Sequence, residues 1–514
     1  MSEENKDIKV VGNQKNETSS YRSIFKATSL FGGVQVYQIL IGVLRSKFIA
    51  MILGPSGMGI AGLYTSATAL IKSLSSMGLQ SSAVRDVSEA NGTGDQHRIN
   101  VTITTLRKLV WFTGLLGMAI VLFGSPLLSK STFDSYDYIL PFIILSVTLL
   151  VDQLTVGQNV ILQGTRRLKY LAKSSAIGAT LGLVVTVPLY YFWGVDGIVP
   201  TLVIVSFISY FLALYYARKV PFNKVPMTFK EAVKNGSVML KMGIAMSVNG
   251  MLTTGAAYIL RIFIMQQGGT VAVGLFTAGF AILGTYVGMV FSSISTDYYP
   301  RLAAVNQDNE KSRDLINQEG EIGTLILAPC LILCIFFMPL IIRILYTEEF
   351  AEASDYVFWA SLGMMFKMAS WVIAFIFIAK SAMKTFLINE ISVNVYGLLI
   401  SIAGYYFGGL KGLGIAFTIK LALYAIQVFC VAHAKYNYKP SLGFLKVFVL
   451  QSLLVCMAIA VVVMTKGVYA WVFGFVIAVM SIVYSLYGLN KRMNLMEVIK
   501  SKFVTLLSIN FFNI

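Results

Sequence analysis

Apolar stretches of about 20 or more residues recur along most of the chain, and they restrict its fold more than any other feature. A helix of roughly 20 residues crosses the hydrocarbon core of a bilayer. A soluble fold could not cover so many helices that are apolar on every side. Hydrophobic residues make up 56% of the chain and charged residues only 13%. We therefore predict an all-α, polytopic membrane protein.

The apolar pattern divides into about fourteen predicted spans, with short connections that contain Gly, Pro or charged residues. The spans are 22–51, 58–84, 104–128, 138–163, 171–192, 195–217, 237–266, 270–299, 319–346, 354–380, 386–407, 412–434, 445–465 and 468–488. An even number of spans places both termini on the same side of the membrane.

The connections alternate in charge, which gives the orientation. Most Lys and Arg residues fall on the side of the termini, as in Arg166 and Arg167, whereas connections on the other side carry acids such as Glu348 and Glu349. Because basic connections stay in the cytoplasm, we predict that both termini are cytoplasmic. The formal charge of +17 thus reflects orientation and does not indicate a nucleic-acid partner.

The chain also contains an internal repeat with an offset of 215 residues. The segment LKYLAKSSAIGATLGLVVTVPLYYFWGVDG, from Leu168, matches MKTFLINEISVNVYGLLISIAGYYFGGLKG, from Met383, without a gap. Near the start, Gly62-Leu63-Tyr64-Thr65 resembles Gly274-Leu275-Phe276-Thr277 at an offset of 212. Six helices per copy give both copies the same orientation, so we predict two parallel lobes with a transport site between them.

This plan gives six predicted regions, of which the two lobes are the largest. They are a disordered cytoplasmic tail (1–21), an N-terminal lobe (22–218), a cytoplasmic linker (219–236), a C-terminal lobe (237–435), two additional helices (436–488) and a cytoplasmic amphipathic tail (489–514).

The first two predicted helices, RSKFIAMILGPSGMGIAGLYTSATALIKSLSSMGLQSSAVRDVSEA, carry a resemblance to a known family. Together with the six-plus-six plan over residues 22–435, this segment resembles the O-antigen and polysaccharide flippases (Wzx type) of the multidrug/oligosaccharidyl-lipid/polysaccharide (MOP) exporter superfamily. The most specific piece is Lys47 to Gly59, with a basic residue ahead of Gly54-Pro55-x-Gly57-x-Gly59. The two extra C-terminal helices look more like the fourteen-helix lipid II flippase branch, so the expected fold is MATE- and MurJ-like.

The resemblance implies that the chain moves an undecaprenyl-pyrophosphate-linked oligosaccharide from the cytoplasmic to the periplasmic leaflet of the bacterial inner membrane. The partners it implies are this lipid-linked oligosaccharide, membrane lipids and other polysaccharide-assembly proteins. We predict no cofactor, and a coupling cation, H⁺ or Na⁺, is the one addition that we consider, because the sequence has no P-loop for direct ATP drive.

Charged residues inside the predicted spans are the candidate site, because each costs roughly 2.5–3.5 kcal/mol at a helix centre and must face a cavity or a partner. Arg45 and Lys47 lie in the outward third of the first span, and Arg261 has a similar position in the seventh. A cavity lined by these cations would bind a pyrophosphate. The alternative is that the long side chains reach the outer headgroups.

Asp152 and Lys367 lie near the centres of the fourth and tenth spans, 215 residues apart. We expect Asp152 to bind or release the coupling cation, and Lys367 to hold the substrate or replace the cation. The alternative is a fixed ion pair that only positions the lobes. Lys72 and Lys420 are weaker candidates for substrate binding, since the faces they occupy are not determined by the sequence.

Charges at the cytoplasmic ends of the second and eighth helices suggest a gate. Arg85, Asp86, Asp297 and Arg301 lie near matching repeat positions and would open and close with the lobes. The alternative is that they are solvated helix ends that obey the positive-inside rule.

The sequence contains no catalytic constellation: it has two histidines, no metal-ligand spacing, no P-loop and no nucleophile elbow. We therefore predict a transporter and not an enzyme. Two alternatives remain: a cation-coupled multidrug exporter of the same superfamily, which would need acids and aromatics in its cavity, and, ranked lower, a membrane enzyme of polysaccharide assembly.

Overall fold

The computed structural model describes the backbone of residues 4–465 and 467–493, and side chains from residue 33 onward within these ranges except at 245, 246, 296, 468 and 493. Every regular element in this part of the chain is helical, and it contains no strand. Ten segments are long and apolar enough to cross a membrane. The predicted all-α, multi-pass class is confirmed.

Tertiary contacts divide the chain into two units, Met1–Tyr258 and Ile259–Ile514. The first unit contains α1 (Glu4–Ser75), α2 (Leu79–Gly92), α3 (Gln96–Phe133), α4 (Ile139–Gly164), α5 (Leu168–Trp193), α6 (Ile198–Ala217), α7 (Phe229–Asn235) and the first part of α8 (Ser237–Ala281). The second contains the remainder of α8, then α9 (Met289–Ala304), α10 (Asn309–Phe336), α11 (Met338–Leu345), α12 (Ala353–Ala379), α13 (Met383–Tyr436), α14 (Leu442–Met464) and α15 (Val468–Met493).

Four of the ten apolar segments are too long for one span, and each is interrupted where two predicted spans meet. They are Gly33–Ser75, Leu168–Ala217, Ser237–Ala304 and Met383–Tyr436, with 43, 50, 68 and 54 residues. Non-helical glycines interrupt the first, third and fourth, and a 3₁₀ turn at Gly194–Gly197 interrupts the second. The predicted turns are therefore present, while the exact count of fourteen spans stays a prediction.

The repeat recurs in the backbone at two pairs of glycines. Gly54 (φ 62°, ψ −170°) and Gly269 (φ 70°, ψ −172°) have nearly the same conformation, 215 residues apart. Gly194 (φ 55°, ψ −130°) and Gly409 (φ 54°, ψ −140°) repeat at the same offset. A positive φ with an extended ψ is a region that essentially only glycine adopts. Both copies thus conserve the residue that their sharpest bends require.

The N-terminal caps of α3 and α10 are also related by approximately the offset of the repeat. Asp95 caps α3 by accepting a hydrogen bond from the His97 amide at 2.9 Å. Asp308 caps α10 by accepting from the amides of Glu310 and Lys311 at 2.9 and 3.1 Å. These backbone donors stabilise the carboxylate, and the hydrogen bond from Lys311 is the largest cause of the lowered pKa of Asp308. The third predicted helix of each copy therefore begins with an aspartate N-cap.

The boundary between the two units differs from the predicted start of the second lobe at residue 237. The first part of α8 packs in the first unit, where Gly243 lies against Met77 and Gly78 without room for a side chain. The Tyr258 hydroxyl lies 2.6 Å from Thr132 Oγ1, further along the same helix. Because of these contacts, the first unit includes the first part of α8 and ends at Tyr258.

The two predicted tails have different outcomes. In the described backbone α1 begins at Glu4, which differs from the disorder predicted over 1–21; the predicted division of the chain into regions stays a prediction. This segment has no proline and continues a helix that the apolar span already forms, and adding residues to an existing helix is easier than starting one. Most of the predicted amphipathic tail, from residue 494 onward, lies outside the described residues.

Candidate functional site

The first unit contains an ion pair between two of the predicted charges. Lys72 Nζ lies 3.0 Å from Asp152 Oδ2, and Ser206 Oγ donates to the other carboxylate oxygen, Oδ1, at 2.6 Å. The ion-pair side chains are 38% and 35% exposed. Asp152 thus has a cationic partner and a neutral donor, one on each oxygen.

Three helices bring this group together at the edge of a cavity of about 230 Å³. Lys72 is in the last turn of α1, Asp152 lies near the middle of α4, and Ser206 lies in α6. The rest of the lining mixes threonine hydroxyls, such as Thr148, with apolar side chains. A polar cavity of this size admits water or a small cation beside the carboxylate.

Arg45 lines a second cavity of the same unit, about 340 Å³ in volume, between α1, α4, α5 and α6. The lining is unusually polar, with amides and hydroxyls such as Gln38, Asn159 and Ser174. The guanidinium of Arg45 is also close enough to the Tyr190 hydroxyl for the two groups to interact. Arg45 therefore faces a polar space inside its own unit. The prediction that Arg45 and Arg261 share one cavity stays a prediction.

The second unit contains a charged cluster in which two predicted lysines meet. Lys367 on α12 is close enough to Lys420 on α13 for its charge to act on the Lys420 ammonium, and Glu390 also acts on Lys420. Glu390 Oε1 accepts a hydrogen bond of 2.6 Å from the Tyr424 hydroxyl. Lys367 Nζ lies 5.0 Å from the centre of the Phe291 ring. The cluster therefore combines two cations, one acid and aromatic surface.

A glycine makes room for Lys420. A Cβ on Gly397 would lie 2.7 Å from Lys420 Cδ and Cε, so the side chain packs directly on the bare backbone of the facing helix. The matching positions of the first unit are Gly182 and Val205. A Cβ on Gly182 would lie 3.6 Å from Val205 Cγ1. The two copies keep the same glycine contact, and the residue that faces the glycine changes from valine to lysine.

The remaining outward cations have less defined surroundings. The Arg261 guanidinium lies 5.5 Å from the Phe276 ring centre and 6.0 Å from that of Phe280, in the second unit. Lys47 is half-buried on α1. The substrate contacts of both residues stay predictions.

The predicted gate residues form ion pairs within their own units. Arg85 pairs with the adjacent Asp86 at 3.2 Å in α2. Arg301 pairs with Asp297 at 3.1 Å and lies 3.8 Å from Glu319 of α10. Glu319 is only 8% exposed. Opening and closing of a gate stays a prediction, but Arg301 also neutralises a buried carboxylate.

Sequence reasoning missed Ser206, Glu390, Tyr424 and Glu319. Glu390 offered a signal, since it is an acid within the predicted span 386–407. Ser206 and Tyr424 offered none, because hydroxyl side chains are common in membrane helices and their partners lie on other helices. The described residues contain no group of three or more His, Cys, Asp or Glu side chains that could hold a metal ion.

Comparison with known families and proteins gives consistent results. The model of a family described as "Polysaccharide biosynthesis protein" matches residues 48–355. The Lipid III flippase of Escherichia coli (strain K12) is 21% identical over 381 residues, which cover 72% of this chain and 88% of that protein. The Lipid III flippase of Shigella flexneri matches equally well.

Solved structures share the fold. The Lipid II flippase MurJ in an inward closed conformation has a TM-score of 0.70 at 14% identity, covering 90% of this chain and 99% of that one. An inward-facing multidrug resistance MATE family transporter of the MOP superfamily has a TM-score of 0.65 at 15% identity, covering 78% and 94%. The MATE- and MurJ-like fold predicted from the sequence is therefore confirmed.

Proposed function

The chain belongs to the polysaccharide biosynthesis protein family, and from this premise we propose that it is a flippase for lipid-linked oligosaccharides. Its substrate would be an undecaprenyl-pyrophosphate-linked repeat unit of O-antigen or a related surface polysaccharide. It would move this substrate from the cytoplasmic to the periplasmic leaflet of the bacterial inner membrane. The flippase names of two similar proteins support this class of activity.

The cluster of Lys367 and Lys420 is the observation that carries the proposal. The two ammonium groups outnumber the one carboxylate of the cluster, Glu390, and this excess positive charge inside a membrane helix bundle is costly unless a further anion binds beside it. A pyrophosphate offers several negatively charged oxygens to such a pair.

Asp152 is our proposed coupling site for H⁺ or Na⁺. Lys72 holds the position next to Oδ2 that a cation would occupy, so cation binding and the Lys72 contact exclude each other. Protonation of Asp152 would likewise release Lys72. Alternating access would then follow from the change in partner of Lys72, with the polyprenyl tail remaining in lipid.

A cation-coupled multidrug exporter is the second candidate, and the shared MATE fold favours it. An exporter of cationic drugs needs carboxylates that are available to its cargo. In the described part of the first unit, the carboxylate in the polar cavity already has Lys72 as its partner. The lysine pair of the second unit would repel a cation. The charges thus favour an anionic substrate.

The test is the location of the lipid-linked saccharide in cells. A host that lacks this gene should accumulate the undecaprenyl-pyrophosphate-linked saccharide in the cytoplasmic leaflet, where added glycosidase reaches it only after lysis. Expression of the chain should make the saccharide accessible in intact spheroplasts. If accessibility is the same with and without the chain, and resistance to cationic dyes changes, the exporter is the correct function. Other polysaccharide-assembly proteins would be co-purified from the complemented host.

A further inference from the structure

One cavity of the first unit is lined by none of the residues of the transport proposal. It has a volume of about 600 Å³ and lies between α3, α4, α6 and the segment that precedes α7. Much of its wall is apolar, and Trp111, Phe112, Leu115 and Phe229 are 43–49% exposed. A groove with open apolar walls in a membrane helix bundle is suited to a hydrocarbon chain.

One end of this groove is strongly basic. Arg107, Lys108 and Lys224 line it, and the lining contains no carboxylate. The Arg107 guanidinium lies 4.3 Å from the centre of the Phe222 ring, and Arg218 is near enough to repel it. Lys108 Nζ donates to the Met227 carbonyl. The buried Arg107 Nε has no hydrogen-bond partner. Such an end attracts an anion.

A buried amide gives a second, independent indication of a ligand. Gln158 is 7% exposed and lines the groove, and its Oε1 is buried without a hydrogen-bond partner. A buried amide oxygen without a donor costs roughly 1–3 kcal/mol, so a ligand that donates a hydrogen bond would be favoured here. The ligand therefore needs a hydroxyl group in addition to its negative charge.

The depth of the groove identifies the source of the ligand. Arg107 and Lys108 follow the start of the predicted span at residue 104, and the positive-inside rule assigns this end to the cytoplasmic leaflet. Trp111 follows one helical turn later, at the level typical of interfacial tryptophans. The basic end is thus at headgroup depth and the apolar walls extend toward the acyl chains.

We propose that this groove binds one acidic phospholipid with a hydroxyl-bearing headgroup, such as phosphatidylglycerol, from the cytoplasmic leaflet. Arg107 and Lys224 hold its phosphate, Gln158 accepts a hydrogen bond from its headgroup hydroxyl, and an acyl chain lies along Trp111 and Leu115. Basic grooves between membrane helices on the cytoplasmic side are suited to acidic headgroups. None of the lining residues belongs to the proposed substrate or coupling sites, and the test of this groove does not require transport.

Lipid retention by the purified full-length protein tests the site. The protein is exchanged into mixed micelles of equimolar phosphatidylglycerol and phosphatidylcholine, and retained lipids are counted by native mass spectrometry. We expect one phosphatidylglycerol to be retained in preference. Arg107→Gln/Lys224→Gln should lower this preference about thirtyfold, because each cation near a headgroup contributes roughly fivefold. The matched control Lys230→Gln/Lys234→Gln removes two nearby exposed charges on α7. This variant should keep the preference for phosphatidylglycerol.

A second variant separates the site from general surface charge. Gln158→Leu should abolish the preference for phosphatidylglycerol over phosphatidic acid and keep the preference of both over phosphatidylcholine. Equal retention of phosphatidylglycerol and phosphatidylcholine by the unmodified protein would overturn the proposal. Equal losses in the two double variants would also overturn it. So would displacement of phosphatidylglycerol by undecaprenyl pyrophosphate at one-tenth of its mole fraction, since the groove would then belong to the substrate.

Discussion

The ammonium of Lys72 lies 3.0 Å from Asp152 Oδ2, so the acid proposed to couple transport has its counter-charge on a neighbouring helix of the same unit. This relationship changes how the acid can work. A cation that binds Asp152 must displace Lys72, and a proton that neutralises Asp152 must release it. Asp152 and Lys72 therefore form a two-state element with a defined difference in contacts.

Asp152→Asn should slow transport by roughly tenfold to a hundredfold, because a charge-assisted hydrogen bond contributes about 1.5–3 kcal/mol. Since both side chains are about one-third exposed, protein stability should change by no more than about 1 kcal/mol. Initial rates in proteoliposomes and melting temperatures measure the two effects. Ser206→Ala is the comparison variant, because it leaves the Lys72–Asp152 ion pair in place and should slow transport less than Asp152→Asn does. Asp152→Asn at the normal rate would exclude the coupling role.

Lys367→Gln and Lys420→Gln should each raise the substrate concentration needed for half-maximal transport by roughly tenfold, since a phosphate contact with an ammonium contributes about 1.5–3 kcal/mol. Lys411→Gln is the matched control, because Lys411 is exposed in the same unit and lies over Trp359, away from the cluster. Equal effects of all three variants would mean that only the net charge of the unit matters.

Gly54→Ala and Gly269→Ala should each destabilise the protein by about 1–3 kcal/mol, because alanine cannot easily adopt a positive φ with an extended ψ. Thermal unfolding of the purified protein measures this. Gly42→Ala should be neutral or slightly stabilising, because Gly42 is helical and a Cβ there would meet no atom within 4 Å. Normal melting temperatures for Gly54→Ala and Gly269→Ala would show that these two positions do not need the backbone conformation that glycine allows.

Arg301→Gln should lower the free energy of unfolding by about 1–3 kcal/mol. The substitution removes the cation that lies beside the buried carboxylate of Glu319. Adding Glu319→Gln should restore most of the loss, since the buried charge is then removed as well. Arg85→Gln should change the melting temperature little, because the Arg85 side chain is about half exposed and its partner is the adjacent residue, Asp86. If the double variant is no more stable than Arg301→Gln alone, then Glu319 does not need its cation.

Much of the fold could be predicted because membrane solvation leaves a strong pattern in the sequence. Apolar length gave the spans, and the 215-residue repeat recurs in the conformations of Gly54 and Gly269. The repeat could not identify contacts between helices within a copy. Asp152 and Lys367 are related by the offset, but the observed partner of Asp152 is Lys72, which the sequence places 80 residues away without any pattern.

The candidate site in the second unit was partly predictable for the same reason. Lys367 and Lys420 stand out as charges within apolar spans, and the sequence provides no means of pairing them. The bend at Gly408 and Gly409 folds the two parts of α13 back on each other, so that Lys420 packs on Gly397. Glu390 and Tyr424 enter the cluster through the same bend.

Transport by the purified chain in proteoliposomes tests the central claim most directly. Undecaprenyl-pyrophosphate-linked oligosaccharide is placed in one leaflet, and its appearance in the other is followed with a membrane-impermeant glycosidase, with a cationic dye as the competing cargo. We predict that the saccharide changes leaflet, that Lys367→Gln/Lys420→Gln largely prevents this, and that the dye does not move. A chain that exports the dye and leaves the lipid-linked saccharide in place would contradict the account.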